Sequence, residues 1–164
     1  MKFKPVPPAP DEFASVARVQ RAVPLVPGTE DDCCARLLDR LDLPDRGVAR
    51  TWLTFLRALG LVAETPSGYR RTETEPTVST CREALLRRVF AADAVREALA
   101  ADGPLTAVEA FERVRERVPA WERHRDAEWT ATWRERVTRL LDWLVLLDAA
   151  ERVERDGATR YRLA

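Results

Sequence analysis

The stretch from Thr51 to Thr72 reads TWLTFLRALGLVAETPSGYRRT. It opens with apolar residues at helical spacing and breaks into a short run of strand-like alternation. It then turns at Gly68 and returns through Tyr69-Arg70. The chain ends with the same order of events, RLLDWLVLLDAAERVERDGATRYRLA from Arg139 to Ala164, turning at Gly157 and returning through Tyr161-Arg162. A helix followed by a two-stranded hairpin, used twice, implies a duplicated module.

A chain of 164 residues has room for one ordinary domain or two small ones. Its 46% apolar content supplies a packed core and argues against wholesale disorder. Charged residues reach 33% yet cancel to a net charge of zero. Coating nucleic acid without sequence preference is mostly phosphate neutralisation, so that balance argues against it while leaving room for a local basic face. No apolar run is long enough to span a bilayer, and MKFKPVPPAP lacks the apolar segment of a secretory signal. Cys33, Cys34 and Cys81 are odd in number and show no CxxC spacing, which points away from a metal site and toward a reduced, cytoplasmic protein. Cys34 is expected to pack inward and Cys33 nearer the surface.

Residues 1–10 form a proline-rich tail with Pro5, Pro7, Pro8 and Pro10, a stiff lead-in lying along the domain surface. A first module is expected over residues 11–76. Asp11 caps a helix that Pro24 ends, and Leu25-Val26 forms a brief strand. Thr29 with Asp32 caps a second helix bearing Cys34, Leu37 and Leu38. Asp45 caps a third with the stripe Val48, Trp52, Phe55 and Leu59. The first hairpin follows. A second module is expected over residues 77–164, opening with a long helix that Thr80 and Glu83 cap and that runs through Leu85, Val89, Phe90 and Leu99 to Gly103-Pro104. Leu105 matches Leu25 as a brief strand, and Thr106 with Glu109 caps a helix burying Val108, Phe111, Val114 and Val118. The polar segment of residues 120–127 has no counterpart in the first copy and is either an extended loop or an extra helical turn. A last helix carries Trp133, Val137, Leu140 and Leu144 into the second hairpin. The fold class is mainly α with small β-hairpin wings.

No enzyme site is legible. His124 stands alone, no glycine-rich phosphate loop or nucleophile elbow occurs, and the carboxylates alternate with arginine as on a solvated helix face. No catalytic residue, metal or cofactor is expected. The two helices that precede the hairpins carry more information. At about 100° per residue, Arg46, Arg50 and Arg57 share a face opposite the apolar stripe, with Thr54 beside them; the alternative to a duplex footprint is a solvated face whose arginines pair with Asp45, Asp42 or Glu64. Leu53 falls on that side and is expected to be exposed or to meet a protein. Arg70 and Arg71 on the hairpin are placed to reach flanking phosphates. The same face of the second copy holds Glu128, Glu135, Arg139 and Asp142, whose carboxylates repel phosphate. Trp143 and Leu146 widen its apolar stripe, as a partner interface requires. Trp121, Trp129 and Trp133 fit a core or interface better than a base-stacking platform.

On the order of these elements and the repeated glycine-turn Tyr-Arg ending, the chain resembles the winged helix-turn-helix superfamily, in tandem. The resemblance implies that the helix before each wing is the one that enters a major groove. It implies a sequence-specific DNA-binding protein, a transcriptional regulator. In it Arg46, Arg50, Thr54 and Arg57 address double-stranded DNA, Arg70 and Arg71 hold the backbone, and the second module makes a homodimer or holds a partner. Tandem winged helices also serve as protein scaffolds. In that respect the chain is similar to the small subunit of the ESCRT-II complex and to the tandem winged-helix partner of the SMC–kleisin machinery, a reading without DNA.

Overall fold

The structure, a computed structural model, describes residues 2–164. It divides into two compact units, Met1–Val89 and Phe90–Ala164. The first contains α1 (Ala14–Ala22), α2 (Glu30–Arg40), α3 (Arg46–Ala58), the hairpin β1 (Val62–Thr65) and β2 (Gly68–Arg71), and α4 (Val78–Arg88). The second contains α5 (Ala92–Asp102), α6 (Ala107–Val114), a 3-10 turn (Arg115–Arg117), α7 (Ala120–Arg125), α8 (Trp129–Leu146) and the hairpin β3 (Ala150–Arg155) and β4 (Ala158–Leu163). Each unit is a set of helices closed by an antiparallel wing. The fold class read from the sequence, mainly α with hairpin wings used twice, is the one observed.

The long helix expected from Thr80 to residue 101 is broken. Val89 leaves α4 with extended backbone, and Ala91 adopts a left-handed conformation before α5 begins. That conformation costs an alanine on the order of 1 kcal/mol. Neither glycine nor proline marks the break, which is why helical periodicity reads through it. The helix expected to open the second module thus lies in the first unit, where α4 packs against α3 and Arg88 donates to the Ala58 carbonyl (3.4 Å). Its cap is Thr77, which accepts from the Thr80 N–H (3.2 Å), and not Thr80. Asp11 likewise does not cap α1, which starts after Phe13 without a side-chain cap. The proline-rich tail docks on the first unit: Phe3 donates to the Arg88 carbonyl (2.8 Å) and Val6 is buried.

The wings are held to their units by matching pairs of backbone hydrogen bonds. Gly28 and Tyr69 exchange bonds of 2.9 and 2.7 Å; Leu105 and Tyr161 exchange bonds of 2.9 and 2.8 Å. Leu105 therefore corresponds to Gly28, one residue before the Thr29 cap, and not to Leu25. Leu25 and Val26 are exposed and form no strand. In the first unit Gln20, buried on α1, fixes the base of the wing by donating to the carbonyls of Leu61 (3.2 Å), Thr72 (3.4 Å) and Thr74 (3.0 Å). The second wing is longer and turns through Asp156 and Gly157, both at positive φ, as tight hairpin turns prefer.

The cores follow the stripes read from the sequence, with departures. Phe55, Leu56 and Leu37 fill the first unit, and Phe111, Leu140 and Leu144 the second. Leu53 is buried too, so it presents nothing to a partner, and Val108 is exposed where burial was expected. Cys33 is as buried as Cys34. Burial is the first cause that raises all three thiols, and it pushes Cys81 up to about 11, which leaves them protonated and unreactive at neutral pH.

The expected Thr106–Glu109 capping box is present, with Glu109 Oε1 accepting from the Thr106 N–H (2.9 Å) and the Glu109 N–H donating to Thr106 Oγ1 (3.1 Å). Arg160 on β4 donates to the same carboxylate (2.7 Å), tying helix cap to wing. These bonds, those from Thr106 first, hold the Glu109 carboxyl below its ordinary value. A carboxyl depressed on folding contributes stability above its unfolded pKa, about 4.3, and loses it as pH falls through the lower folded value. Urea melts at pH 7 and pH 3 check this. Wild type should lose more stability on acidification than Glu109→Gln, whose amide still caps but does not titrate. Equal losses would remove Glu109 from the account.

Candidate nucleic-acid interface

The helix-turn-helix of the first unit is α2 and α3, and the sequence fixes both starts. Thr29 accepts from the Asp32 N–H (3.1 Å) to begin α2, and Asp45 accepts from the Val48 N–H (2.9 Å) to begin α3. Burial of Ala49, Trp52, Phe55 and Leu56 turns the opposite side of α3 outward. That outer side carries Arg46, Arg50, Thr54 and Arg57, as the helical spacing predicts. Arg46 and Arg50 are exposed, while Thr54 and Arg57 are half-buried.

Each of these arginines meets a carboxylate. Arg46 pairs with Asp31, Arg50 donates to Glu30 (2.8 Å), and Arg57 pairs with Glu64 on β1 (2.7 Å). Glu30 and Asp31 lie in the first turn of α2 with Asp32, where the helix dipole favours negative charge. The side chains of Arg46 and Arg50 remain 47% and 56% exposed. At that exposure a pair is worth about 0–1 kcal/mol, so a phosphate competes for either guanidinium. Arg57 is held harder. Its guanidinium also stacks over the rings of Phe3 (5.4 Å) and Tyr69 (5.6 Å), and its side chain is only 28% exposed. On the wing, Arg70 reaches the Arg71 carbonyl (3.5 Å) and Arg71 the Arg21 carbonyl (3.2 Å), and among the described residues no carboxylate pairs with either.

The second unit builds the same helix–wing latch with reversed charge. In the first, helix Arg57 meets wing Glu64, which accepts from the Tyr69 hydroxyl (3.5 Å). In the second, helix Asp142 accepts from wing Arg152 (2.8 Å) and from the Tyr161 hydroxyl (2.9 Å). Burial first, and then Asp142, raise the Tyr161 phenol and keep it protonated as a donor. Asp142 is thereby committed to the wing, and Glu135 to Arg139 (2.7 Å). Of the two residues expected to form a partner interface, Trp143 is fully buried and Leu146 half-buried. Trp143 is unavailable to a partner because it fills the core position that Phe55 fills on α3: Leu147 caps α8 on its carbonyl as Leu59 caps α3 on that of Phe55.

Three features of this surface and its surroundings leave no signal in the sequence. Glu30 and Asp31 flank the arginine face from another helix, a proximity that no spacing along one helix reveals. The tail reaches Arg57, whereas proline content signals only stiffness. Trp121 is 57% exposed on α7, which makes the segment of residues 120–127 an extra helical turn and not an extended loop. Among the described residues no group of histidine, cysteine and carboxylate side chains is arranged to hold a metal ion, and no helix is long and apolar enough to cross a membrane.

No curated protein and no solved structure matches the chain. A family model does match, over residues 1–163, and it describes a double winged helix, in agreement with the repeated latch and the repeated glycine-turn wing. On that match the chain belongs to the halobacterial double winged helix domain family.

Proposed function

We propose that the first unit binds double-stranded DNA and that the protein acts as a transcriptional regulator, with the second unit making dimer or partner contacts. The supporting observation is the exposed arginine pair Arg46 and Arg50 on the outer side of α3, continued by Arg70 and Arg71 on the wing. A winged helix commonly presents that helix to a major groove and its wing to the backbone. Arg46, Arg50 and Thr54 address the groove, and Arg70 and Arg71 the phosphates. Arg57 sets the wing against the helix and contributes mainly through that geometry. Binding exchanges two weak surface pairs for charge-assisted bonds to phosphate or guanine.

A salt titration of a fluorescent duplex tests the proposal. Binding should weaken linearly in log salt, and Arg50→Ala or Arg70→Ala should each flatten the slope by about one. Weak binding that ignores both substitutions would favour a second reading, a protein-interaction scaffold without DNA readout. The pairing of each α3 arginine with a carboxylate favours that alternative.

A further inference from the structure

A cleft of about 910 Å³ lies in the first unit, on the side of α3 away from its arginines. Val48 and Trp52, one turn apart on α3, give it an apolar floor, joined by Leu43 and Pro44 of the turn before that helix. Pro8, Ala9 and Pro10 of the tail supply a wall. Val6 and Pro7, just before them, are buried and pin the tail in place. Prolines have little backbone freedom to lose, so this wall is formed before anything binds. The volume is that of a small-molecule site, for which about 300–1,000 Å³ is usual. Four charged residues reach the cleft: Asp11, Glu12, Arg18 and Asp42. Arg18 is taken by Glu12 (2.7 Å) and by Ser15 Oγ (2.7 Å). Asp11 and Asp42 are exposed, and among the described residues neither side chain has a hydrogen bond or an ion pair. Asp11 is free because α1 starts after Phe13 without a side-chain cap.

We propose that this cleft binds a small organic cation, an amine or guanidine carried on a compact apolar body. The body packs on Val48, Leu43 and the proline wall, while Asp11 and Asp42 accept charge-assisted hydrogen bonds from the cationic group. The cavity makes the site, and the two uncommitted carboxylates set the sign of its ligand. An anion is the wrong occupant, because the lining sets three carboxylates against one guanidinium that Glu12 already holds. The site also gives the proline-rich tail a task beyond stiffness, that of a rigid wall. It uses none of the arginines on the outer side of α3, so it stands apart from the duplex-binding reading.

The test titrates the isotope-labelled full chain with phenethylamine and follows the backbone amides by NMR. Phenethyl alcohol and hydrocinnamate serve as the neutral and anionic counterparts. The amine should shift amides of the cleft, Ala9, Asp11, Leu43 and Val48 among them, and saturate at a roughly millimolar dissociation constant. The alcohol should bind about fivefold more weakly, and Asp11→Asn/Asp42→Asn should cost the amine the same factor, the worth of two exposed charge pairs. Hydrocinnamate should not bind. Glu73→Gln/Glu75→Gln removes two exposed carboxylates outside the cleft and should leave the amine unaffected. All four positions are exposed, and unchanged thermal melts will establish that both variants fold. No shift with the amine overturns the proposal, as do shifts centred outside the cleft. Equal binding of amine and hydrocinnamate overturns it, and so does affinity indifferent to Asp11→Asn/Asp42→Asn. A peptide alternating proline and lysine that binds the cleft at least about tenfold more tightly than the amine would make it a protein-docking groove and overturn the small-molecule assignment.

Discussion

Trp143→Ala is expected to cost about 3–5 kcal/mol of stability, the usual loss for truncating a fully buried large aromatic side chain. Trp143 is the largest fully buried side chain among the described residues. The substitution removes its packing and leaves a cavity that a close-packed core does not refill. Small domains have about 5–15 kcal/mol in total, so the unit carrying α8 should melt early or not fold at all. Leu146→Ala, at a half-buried position three residues on, should cost roughly 1 kcal/mol. Urea unfolding followed by fluorescence, with solution mass measured on the same samples, separates core from interface. A stable Trp143→Ala protein with reduced mass would return Trp143 to a partner surface.

Gly68→Ala is expected to detach the first wing. Gly68 has φ of +128°, and a Cβ there would lie 2.3 Å from the Gly28 carbonyl oxygen and 2.7 Å from its carbon. Both atoms are backbone, so the clash is relieved only by breaking the paired bonds between Gly28 and Tyr69. The backbone conformation adds about 1–3 kcal/mol of strain. Arg70 and Arg71 follow immediately, so duplex binding should fall together with stability. Gly157→Ala at the tip of the second wing is the control. Its φ is +75° but nothing lies within 4 Å of the added carbon, so it should cost about 1 kcal/mol and leave duplex binding unchanged. Equal effects from the two alanines would mean that the Gly28 contact does not hold the wing.

How far the sequence carries follows from which interactions are local. Helix starts at Thr29, Asp45 and Thr106 were legible because a cap acts across three residues. The wings were legible because Gly68 and Gly157 sit between alternating runs. The end of α4 at Val89 was not, because no local signal marks it: Val89 pairs with Phe3, more than eighty residues away in sequence. The expected strand at Leu25-Val26 failed for a related reason. A short segment after Pro24 suits a brief strand by its position, but the residue that meets the wing is Gly28, where the close approach of Gly68 leaves no room for a side chain. At the candidate interface, spacing placed Arg46, Arg50 and Arg57 on one face correctly. Of their partners, Glu64 is one the sequence offers, whereas Asp31 and Glu30 stand in place of the expected Asp42 and Asp45 because only the packed unit brings α2 beside α3.

Those carboxylates make the most direct measurement possible. If the outer side of α3 is a duplex-binding surface that Glu30 and Asp31 partly neutralise, removing their charge should strengthen it. The double variant Glu30→Gln/Asp31→Asn keeps side-chain size and leaves the Thr29 cap intact. In anisotropy titrations against a duplex across a salt series it should bind at least about threefold tighter than wild type, the value of freeing two exposed pairs. It should also show a steeper salt slope, because more guanidinium charge meets phosphate. Affinity and slope equal to those of wild type would contradict a DNA-binding role for α3.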